Sequence, residues 1–269
     1  MRKSLQRYMT ELEESTAKRQ KLESEIQIAK DIQMSMIPGS GNLFIDEPDF
    51  QLYACLRPAR SVGGDLYYYQ QDGDELSFIL GDVSDKGVPA ALFMAKTVTL
   101  YTRALKEGLS PGQTLSMMND ILAQNNDACM FVTALCGRIN IKTGDGLIAN
   151  AGHMPPIIKD NGDTGEAEIP GATALGLMEG IDYPDIPLKL APQAILTLYT
   201  DGISEAHNSR DEQYTEEQLI EDIKALKADT LEQAGSAIID SVDAFAGDAV
   251  QFDDITLLLF MRKQPAPAE

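Results

Sequence analysis

The first 36 residues carry a hydrophobic pattern that differs from that of the rest of the chain. Steps of three and four residues form a heptad series, which runs through Leu5, Tyr8, Leu12, Ser15, Arg19, Leu22, Ile26, Ala29, Gln33 and Met36. Ser15, Arg19 and Gln33 are polar breaks in this series, and neither Gly nor Pro occurs before Pro38. The spacing predicts one long helix within residues 1–37, with a seam too polar to form a strong coiled coil alone. It is either a helix packed on its own domain or a coiled-coil dimerisation linker.

Beyond residue 50, strand-like and helix-like patterns follow one another. Apolar runs bounded by turn residues predict strands over residues 50–55, 66–69, 76–80, 130–141, 147–149, 194–199 and 255–261. Short strands broken by Gly and Pro are expected over 155–192. Apolar positions at helical spacing predict helices over 89–105, 111–123, 215–226 and 231–245. Hairpins joined to separate pairs of helices predict an α+β fold with antiparallel sheets rather than an alternating doubly wound fold.

The charge and the residue composition narrow the classes of function. The chain has 269 residues, of which 42 are acidic and 22 basic, and its formal net charge is −20. Such a surface repels phosphate backbones, so we expect no nucleic-acid partner. No apolar run approaches the roughly 20 residues of a membrane helix, and no apolar signal core is present, so we expect a cytoplasmic protein without membrane contact. Three cysteines without a Cys-x-x-Cys pair and only two histidines disfavour disulfides and zinc.

Aspartates recur where apolar strands end. Asp65, Asp82, Asp201 and the pair Asp253-Asp254 all stand at strand ends or tight turns. A single aspartate there is more often a turn former or a helix cap, but the recurrence favours a shared site. If the strand ends converge, two carboxylates about 4 Å apart repel by about 4 kcal/mol at an effective dielectric of about 20, so cations are required. Ligands that are all oxygen favour Mg²⁺ or Mn²⁺, and two such ions would activate water for in-line attack on phosphorus.

Seven short stretches, in order, resemble the metal-dependent protein phosphatases (PPM family), in the bacterial branch that regulates sporulation and stress sigma factors. They are AKDIQMSMIP at 29–38, PARSVGGDLY at 58–67, GDVSDKGVPAALFM at 81–94, FVTA at 131–134, NAGHMPP at 150–156, LYTDGISEA at 198–206 and DDITL at 253–257. The branch is that of the stage II sporulation E-like phosphatase domain. The resemblance implies an αββα sandwich, with a phosphatase domain over 45–263 after the N-terminal helix. We expect the tail over 264–269 to be disordered.

The resemblance also implies roles for single residues. The metal ligands that it implies are Asp65, Asp82, Val83, Asp201 and Asp253. Asp82 would bridge two ions, Mn²⁺ or Mg²⁺, and would be the central catalytic residue, while Val83 would contribute its backbone carbonyl. Asp254 is a less favoured candidate for the same ligand position as Asp253. Arg60 would grip the substrate phosphate through its guanidinium fork, although a plain surface arginine is the alternative.

Ser84, Asp85 and Tyr68 depart from the family pattern, and His153 fits more than one role. Ser84 stands where animal-type members carry a histidine proposed as a general acid, so the leaving oxygen would take its proton from water. Asp85 replaces a usual glycine and adds negative charge that would weaken substrate binding or recruit a further cation. Tyr68 replaces an acidic residue that is often seen there. His153 would act as an acid, bind phosphate, or organise a turn beneath the site, and we favour the turn. None of these departures removes a matched metal ligand, so we expect an active enzyme.

The implied function is hydrolysis of phosphoserine or phosphothreonine on a protein substrate, an anti-sigma-factor antagonist, in a bacterial partner-switching pathway. The N-terminal helix would form a homodimer and would transmit a signal from an upstream sensor domain or protein. Two alternatives remain. Gly63-Gly64-Asp65 resembles the start of the G-G-D-E-F signature of nucleotide cyclases, although Leu66 and Tyr67 replace its last two residues. A non-catalytic regulator with a degenerate phosphatase domain would instead sequester a partner.

Overall fold

The computed structural model describes residues 2–264. Residues 265–269, most of the predicted disordered tail, lie outside the described part, as do the side chains of residues 2–5, 7, 10 and 11. The α-helices are α1 (Arg2–Ser35), α2 (Val88–Glu107), α3 (Pro111–Ala123), α4 (Asp201–Ser204), α5 (Glu216–Ala225) and α6 (Leu231–Ala246). The strands are β1 (Asn42–Asp46), β2 (Phe50–Arg57), β3 (Leu66–Asp72), β4 (Glu75–Val83), β5 (Val132–Asn140), β6 (Asp145–Ala151), β7 (Ile157–Asp160), β8 (Asp163–Glu166), β9 (Ile186–Lys189), β10 (Ile195–Tyr199) and β11 (Ile255–Arg262).

The strands of the described chain form two antiparallel sheets. One sheet has the order β1-β2-β11-β10-β7-β8, and the other has the order β3-β4-β5-β6-β9. Hairpins supply four of the nine neighbouring strand pairs of these sheets, among them β3 and β4, which are joined next to the pair Asp72↔Glu75. The last strand, β11, instead enters the first sheet between β2 and β10. The antiparallel α+β fold predicted from the sequence is therefore confirmed.

Alternation along β11 shows how the layers pack. Successive side chains of a strand point to opposite faces of its sheet. Leu258 and Phe260 belong to the core cluster that includes Leu135 of the other sheet. Leu257 and Leu259 belong to a second cluster, with apolar residues of α5 and α6. Because α2 and α3 contact the five-stranded sheet from its other side, the order of layers is helices, sheet, sheet, helices, which is the expected αββα sandwich.

The helix pair α2 and α3 follows directly from the loop after β4. Pro89 lies in the first turn of α2, and Gly108 ends this helix with a φ of +69°, a conformation that favours glycine. The Ser110 hydroxyl accepts from the Gln113 N–H at 3.4 Å, while the Gln113 side chain accepts from the Ser110 N–H at 3.1 Å. This capping box fixes the start of α3 where the sequence predicted it.

The N-terminal helix α1 ends at Ser35, and the chain turns through Pro38–Gly41 into β1. Almost all described side chains of α1 are exposed, but Met34, Met36 and Ile37 at its C-terminal end pack on the core. The strand β1 was not predicted, because it is a half-buried edge strand without clean alternation. It pairs with β2 through Leu43↔Ala54 and therefore begins the sheet before residue 45. None of the helices in residues 2–264 has both the length and the apolar character that a transmembrane span requires.

Candidate metal centre

Two strand pairs bring the predicted aspartates together. Asp65 directly precedes β3, and the pair Leu66↔Gly81 places it at the same end as Asp82 of β4. In the other sheet, β10 leads into Asp201 at the start of α4, while Asp253 precedes β11, and β10 and β11 are paired antiparallel. The two sheets therefore present their acidic ends to one another. The carboxylates interact electrostatically across the sheets, as their pKa shifts show below.

Asp65 is the most deeply buried member of this cluster, with 3% of its surface exposed. One of its carboxylate oxygens accepts hydrogen bonds from the Thr200 hydroxyl at 2.7 Å and from the Thr256 hydroxyl. Burial, followed by the charges of Asp82 and Asp254, raises the pKa of Asp65 well above its ordinary value, although the two hydroxyls oppose the shift. A cation close to this carboxyl would offset both the burial and the repulsion.

The pKa values of Asp82 and Asp201 are raised in the same way. Burial, then the charge of Asp201, raises the pKa of Asp82 to about 7, and a hydrogen bond with Asp65 counteracts part of this shift. Burial, then the charge of Asp253, raises the pKa of Asp201 to about 6. Like charges that must share a small space disfavour the ionised state, so raised values are expected for a cluster without a cation. A bound cation would therefore stabilise the ionised form of these carboxylates.

Asp253 is the member of the cluster that has a cation beside it. The ammonium of Lys86 lies 2.7 Å from one of its carboxylate oxygens. The same ammonium donates to the Phe252 carbonyl at 2.9 Å and lies 3.8 Å from the centroid of the Phe252 ring. Lys86 follows Asp82 by four residues in the loop before α2, so this contact joins the two sheets at the site.

Asp254 has different partners from those of Asp253. Its carboxylate is buried and accepts from the backbone N–H groups of Ala59 at 2.8 Å, Gly64 at 2.7 Å and Asp65 at 3.4 Å. A Cβ at Gly63 would lie 2.0 Å from this carboxylate, so glycine is required there. Both oxygens of Asp254 are thus engaged in holding the loop before Asp65, which is a positioning role.

Val83 lies beside the same loop. A Cβ at Gly64 would come within 2.8 Å of the Val83 carbonyl oxygen, closer than real Cβ atoms approach an oxygen. Glycine at position 64 therefore lets the loop backbone lie directly against this carbonyl. This close approach places the Val83 oxygen next to the residue that precedes Asp65.

The donor set fits hard divalent cations. Its members are carboxylate and carbonyl oxygens, which Mg²⁺ and Mn²⁺ prefer. In residues 2–264, no three Asp, Glu, His or Cys side chains stand close enough together to hold one ion by themselves. The oxygens of the chain would therefore fill only part of the coordination sphere of each ion, which agrees with the habit of Mg²⁺ of keeping several water ligands.

Comparisons with known proteins show the family to which the chain belongs. The model of the family described as Stage II sporulation protein E (SpoIIE) matches residues 72–263. The chain belongs to this family. Phosphoserine phosphatase RsbU of Bacillus subtilis (strain 168) is 28% identical over 247 residues, which cover 91% of this chain and 72% of RsbU. Protein IcfG of Synechocystis is 29% identical over 88% of this chain, but the chain spans only 41% of IcfG.

A solved structure supports the fold of this SpoIIE-family chain. The SiaA-PP2C domain of Pseudomonas aeruginosa superimposes with a TM-score of 0.78 at 21% identity, and the match covers 91% of this chain and 98% of that domain. The sandwich is therefore the PP2C phosphatase fold, and the resemblance given by the seven sequence stretches is confirmed. The cyclase and the non-catalytic alternatives are not favoured by these matches.

The positions that depart from the family pattern have structural roles. Asp85 is exposed with a φ of +71°, a backbone conformation in which glycine is usual and Asp is tolerated, and it accepts from the Lys86 N–H at 2.8 Å. The Ser84 hydroxyl accepts from the Phe131 N–H at 2.9 Å. Tyr68 packs edge-to-face on Tyr101, with ring centroids 5.9 Å apart. Each of the three residues therefore has a structural contact of its own.

His153 organises the structure beneath the site. One ring nitrogen bonds the Thr133 hydroxyl at 2.8 Å, and Nε2 lies 2.9 Å from the Tyr199 carbonyl oxygen, to which it must donate. Asn150 completes a two-way backbone contact with the histidine. Burial lowers the pKa of His153 to about 4, so it is neutral at pH 7. With both ring nitrogens engaged, it ties β5 to the end of β10.

Arg60 lies on the loop between β2 and β3, five residues before Asp65. Its side chain is exposed, and no hydrogen bond or ion pair joins its guanidinium to the rest of residues 2–264. The guanidinium is therefore available to a ligand.

Four further residues of the site were not singled out from the sequence. They are Gln33, Lys86, Thr200 and Thr256. All four lie inside the stretches that carry the family resemblance, and Gln33 was recognised only as a polar break in the heptad series. Their partners are far away in the chain, so only this shared location in the motifs could have pointed to them.

Proposed function

We propose that this chain is a cytoplasmic, metal-dependent phosphatase that hydrolyses phosphoserine or phosphothreonine on a protein, and that its substrate is an anti-sigma-factor antagonist in a bacterial partner-switching pathway. The observation that carries the proposal is the meeting of Asp65, Asp82, Asp201 and Asp253 at the facing ends of two sheets. Membership of the SpoIIE family and the similarity to a named phosphoserine phosphatase support it.

The carboxylates would hold two Mn²⁺ or Mg²⁺ ions. Asp82 has a hydrogen bond with Asp65 and interacts electrostatically with Asp201 and Asp253, so it would contribute to holding both ions. Asp65, Asp201, Asp253 and the Val83 carbonyl are the other ligands of the proposal. When bound, such a pair of ions supplies an activated water and neutralises charge that develops on the phosphoryl group.

The other side chains bind and orient the substrate. The free guanidinium of Arg60 would take two phosphate oxygens in a bidentate contact, which fixes the ester for in-line attack. The Ser84 hydroxyl accepts from the Phe131 N–H, and as an unactivated alcohol it is too weak an acid to protonate the leaving oxygen. His153 is neutral, buried and bonded at both nitrogens, so it is no general acid either. The leaving oxygen would take its proton from solvent water.

We further propose that the chain forms a homodimer through its N-terminal helix and that this helix receives a signal from an upstream sensor domain or protein. Tyr8, Leu12 and Leu22 lie in the heptad series, and between 57% and 69% of their surface is exposed. A second copy of α1 would cover them. The chain spans 72% of RsbU and 41% of IcfG, so both relatives contain sequence outside the matched part.

Phosphate release from a serine-phosphorylated antagonist domain tests the enzymatic proposal. We expect turnover with Mn²⁺ or Mg²⁺, loss of turnover in chelator, and loss of at least two orders of magnitude in Asp82→Asn and Asp201→Asn. A non-catalytic regulator would bind the same substrate and release no phosphate at any metal concentration. The cyclase alternative predicts cyclic nucleotide or dinucleotide from GTP and Mn²⁺, and we expect none.

A further inference from the structure

Gln33 is an exception on α1. Among the described side chains of this 34-residue helix it is the one that is fully buried, with 6% of its surface exposed. Ile28 and Ile32 on the same helix are 57% and 61% exposed. Apolar side chains are normally the ones that a helix buries, and burying an amide costs free energy unless its polar atoms are satisfied. A specific partner must therefore hold Gln33 in place.

That partner is the backbone of Gly63. The Gln33 Nε2 donates to the Gly63 carbonyl oxygen at 2.6 Å, and the Gly63 N–H donates to the Gln33 Oε1 at 3.2 Å. One side-chain amide thus satisfies both backbone groups of one residue, as a neighbouring strand would. Neither a carboxylate nor an apolar side chain can form this pair, because the first lacks the donor and the second lacks both groups.

The pair fixes a loop that leads directly to the metal site. Gly63 is held from one side by Gln33, and a Cβ on it would strike the Asp254 carboxylate, so it has little room to move. Gly64 and Asp65 then donate their N–H groups to that same carboxylate. The Gln33 amide of α1 and the Asp254 carboxylate before β11 therefore hold consecutive residues of the loop by hydrogen bonds. These bonds fix the position of Asp65.

Adhesion of α1 does not require this pair. Met34, Met36 and Ile37 already pack the end of the helix on the core, and a hydrogen bond adds only modest net stability. The two directed hydrogen bonds instead fix the position of the helix relative to the loop, because both can form in only one placement of the two. A shift of α1 by one helical turn would remove Gln33 from Gly63 while leaving apolar contacts possible.

We propose that Gln33 is a positioning residue of the metal centre, which holds Gly63 so that Asp65 is presented to a divalent cation and which makes the end of α1 part of the site. This inference rests on the proposed function for the identity of the site. It adds that the metal affinity depends on where α1 sits, so a partner that moves the helix would change metal binding before it changes any contact with substrate.

The test compares full-length variants in Mn²⁺ titrations by calorimetry and in thermal unfolding in chelator. Gln33→Met keeps the length of the side chain and removes both bonds. Gln33→Glu keeps the acceptor and loses the donor. Gln27→Met is the matched control, because Gln27 lies on the same helix and its exposed amide bonds only Asp31.

We expect Gln33→Met to weaken Mn²⁺ binding about tenfold, as the loss of one or two hydrogen bonds implies, with Gln33→Glu impaired as well and Gln27→Met unchanged. Turnover of p-nitrophenyl phosphate by Gln33→Met should recover at saturating Mn²⁺, with its melting temperature in chelator close to that of the wild type. Binding within twofold of the wild type in both Gln33 variants would overturn the inference.

Two other outcomes are also decisive. If Gln33→Met fails to fold in chelator, Gln33→Glu decides, and a folded Gln33→Glu with wild-type Mn²⁺ affinity would overturn the inference. If the wild-type chain itself binds no Mn²⁺ and releases no phosphate, the proposed function fails and the inference falls with it. Wild-type turnover together with an unchanged Gln33→Met affinity sinks the inference alone.

Discussion

The ammonium of Lys86 lies 2.7 Å from a carboxylate oxygen of Asp253 and rests over the Phe252 ring. Both charged side chains are more than two-thirds buried, so the attraction is less screened than in a surface pair. The lysine supplies positive charge at a carboxylate that the proposal assigns to a metal ion. Lys86 and that ion therefore compete for Asp253.

Lys86→Met should for this reason bind Mn²⁺ more tightly than the wild type, by a few fold, while the metal-free variant melts at a lower temperature because the acidic cluster has lost a neighbouring cation. Calorimetric titration and melting in chelator measure the two effects. Lys189→Met is a matched control, since its ammonium pairs with the exposed Asp145 outside the cluster. Weaker Mn²⁺ binding in Lys86→Met would show that the lysine assists the ion rather than competing with it.

The raised pKa of Asp82 predicts a pH dependence of the metal-free protein. Its value of about 7 in the folded chain exceeds the unfolded value of 3.8, so the folded state binds the proton more tightly. The resulting stabilisation is fully present below about pH 4 and is lost as the pH rises through 7. Relative to Asp82→Asn, the wild type in chelator should lose up to about 1.4 kcal/mol of unfolding free energy per pH unit across this window.

Urea unfolding of both proteins in chelator at several pH values measures this difference. The comparison with Asp82→Asn matters because burial lowers the pKa of His153 to about 4, and this histidine contributes the opposite slope in both proteins between about pH 4 and 6.5. Saturating Mn²⁺ should abolish the difference in slope, since the bound ion replaces the proton. Parallel pH profiles in chelator would contradict the clustering of charge around Asp82.

Much of this architecture could be predicted from the sequence, because the core strands are strongly apolar and the turns carry Gly, Pro or Asp. Ser110 marked the start of α3, and the structure shows its capping box. The edge strand β1 was missed, since Asn42–Asp46 is half exposed and lacks alternation. The excess charge of Asp85 attracted attention in the sequence, whereas its positive φ, visible only in the structure, explains why glycine is usual there.

The sequence predicted the aspartates of the candidate site, together with Val83, Arg60 and His153, but not the polar side chains that hold them in position. The roles of Thr200 and Thr256 depend on hydrogen bonds to Asp65 across 135 and 191 residues of chain, which no local pattern encodes. The Gln33–Gly63 pair spans 30 residues, and in the heptad series Gln33 was merely a defect. Polar residues in a core are recognisable only once their partners are known.

Adjacent residues Asp253 and Asp254 should respond differently to the same substitution. Asp254→Asn removes an acceptor for backbone N–H groups in a buried loop, so it should lower the unfolding free energy by about 1–3 kcal/mol even in chelator. Asp253→Asn should lower the metal-free stability less, because it loses the pair with Lys86 but also relieves the repulsion with Asp201, and it should weaken Mn²⁺ binding at least tenfold. Denaturant unfolding in chelator and calorimetry with Mn²⁺ separate the two effects. Equal losses of affinity and stability in both variants would remove the distinction between ligand and scaffold.

Arg60 should act on substrate binding more than on the metal. Arg60→Ala loses the guanidinium that is free in the structure, so we expect KM for a phosphorylated protein to rise about tenfold or more, with Mn²⁺ affinity unchanged. Arg60→Lys should recover only part of the loss, since an ammonium cannot make the bidentate contact. Arg210→Ala, whose guanidinium pairs with Glu212 at the surface, is the control. An unchanged KM in Arg60→Ala would leave this residue a plain surface arginine.

The heptad series predicts which apolar side chains of α1 would form a dimer interface. Leu12 and Leu22 belong to the series and are 68% and 57% exposed, while Ile28 is equally exposed but lies outside it. A parallel partner helix would bury the first two and leave Ile28 in solvent. The double change Leu12→Lys and Leu22→Lys should therefore shift the chain toward monomer in sedimentation analysis, and deletion of residues 1–30 should do the same.

Ile28→Lys should leave the dimer fraction unchanged, which separates a specific seam from general stickiness of an exposed helix. Because Gln33 and its partner Gly63 lie outside the deleted residues, the shortened chain should keep its Mn²⁺ affinity while losing its partner. If Ile28→Lys dissociates the dimer as effectively as the seam variant, the heptad series does not define the interface. If the wild type remains monomeric at concentrations well above those used in the turnover assay, the other interpretation of the sequence holds. In that case α1 is a helix that packs on its own domain.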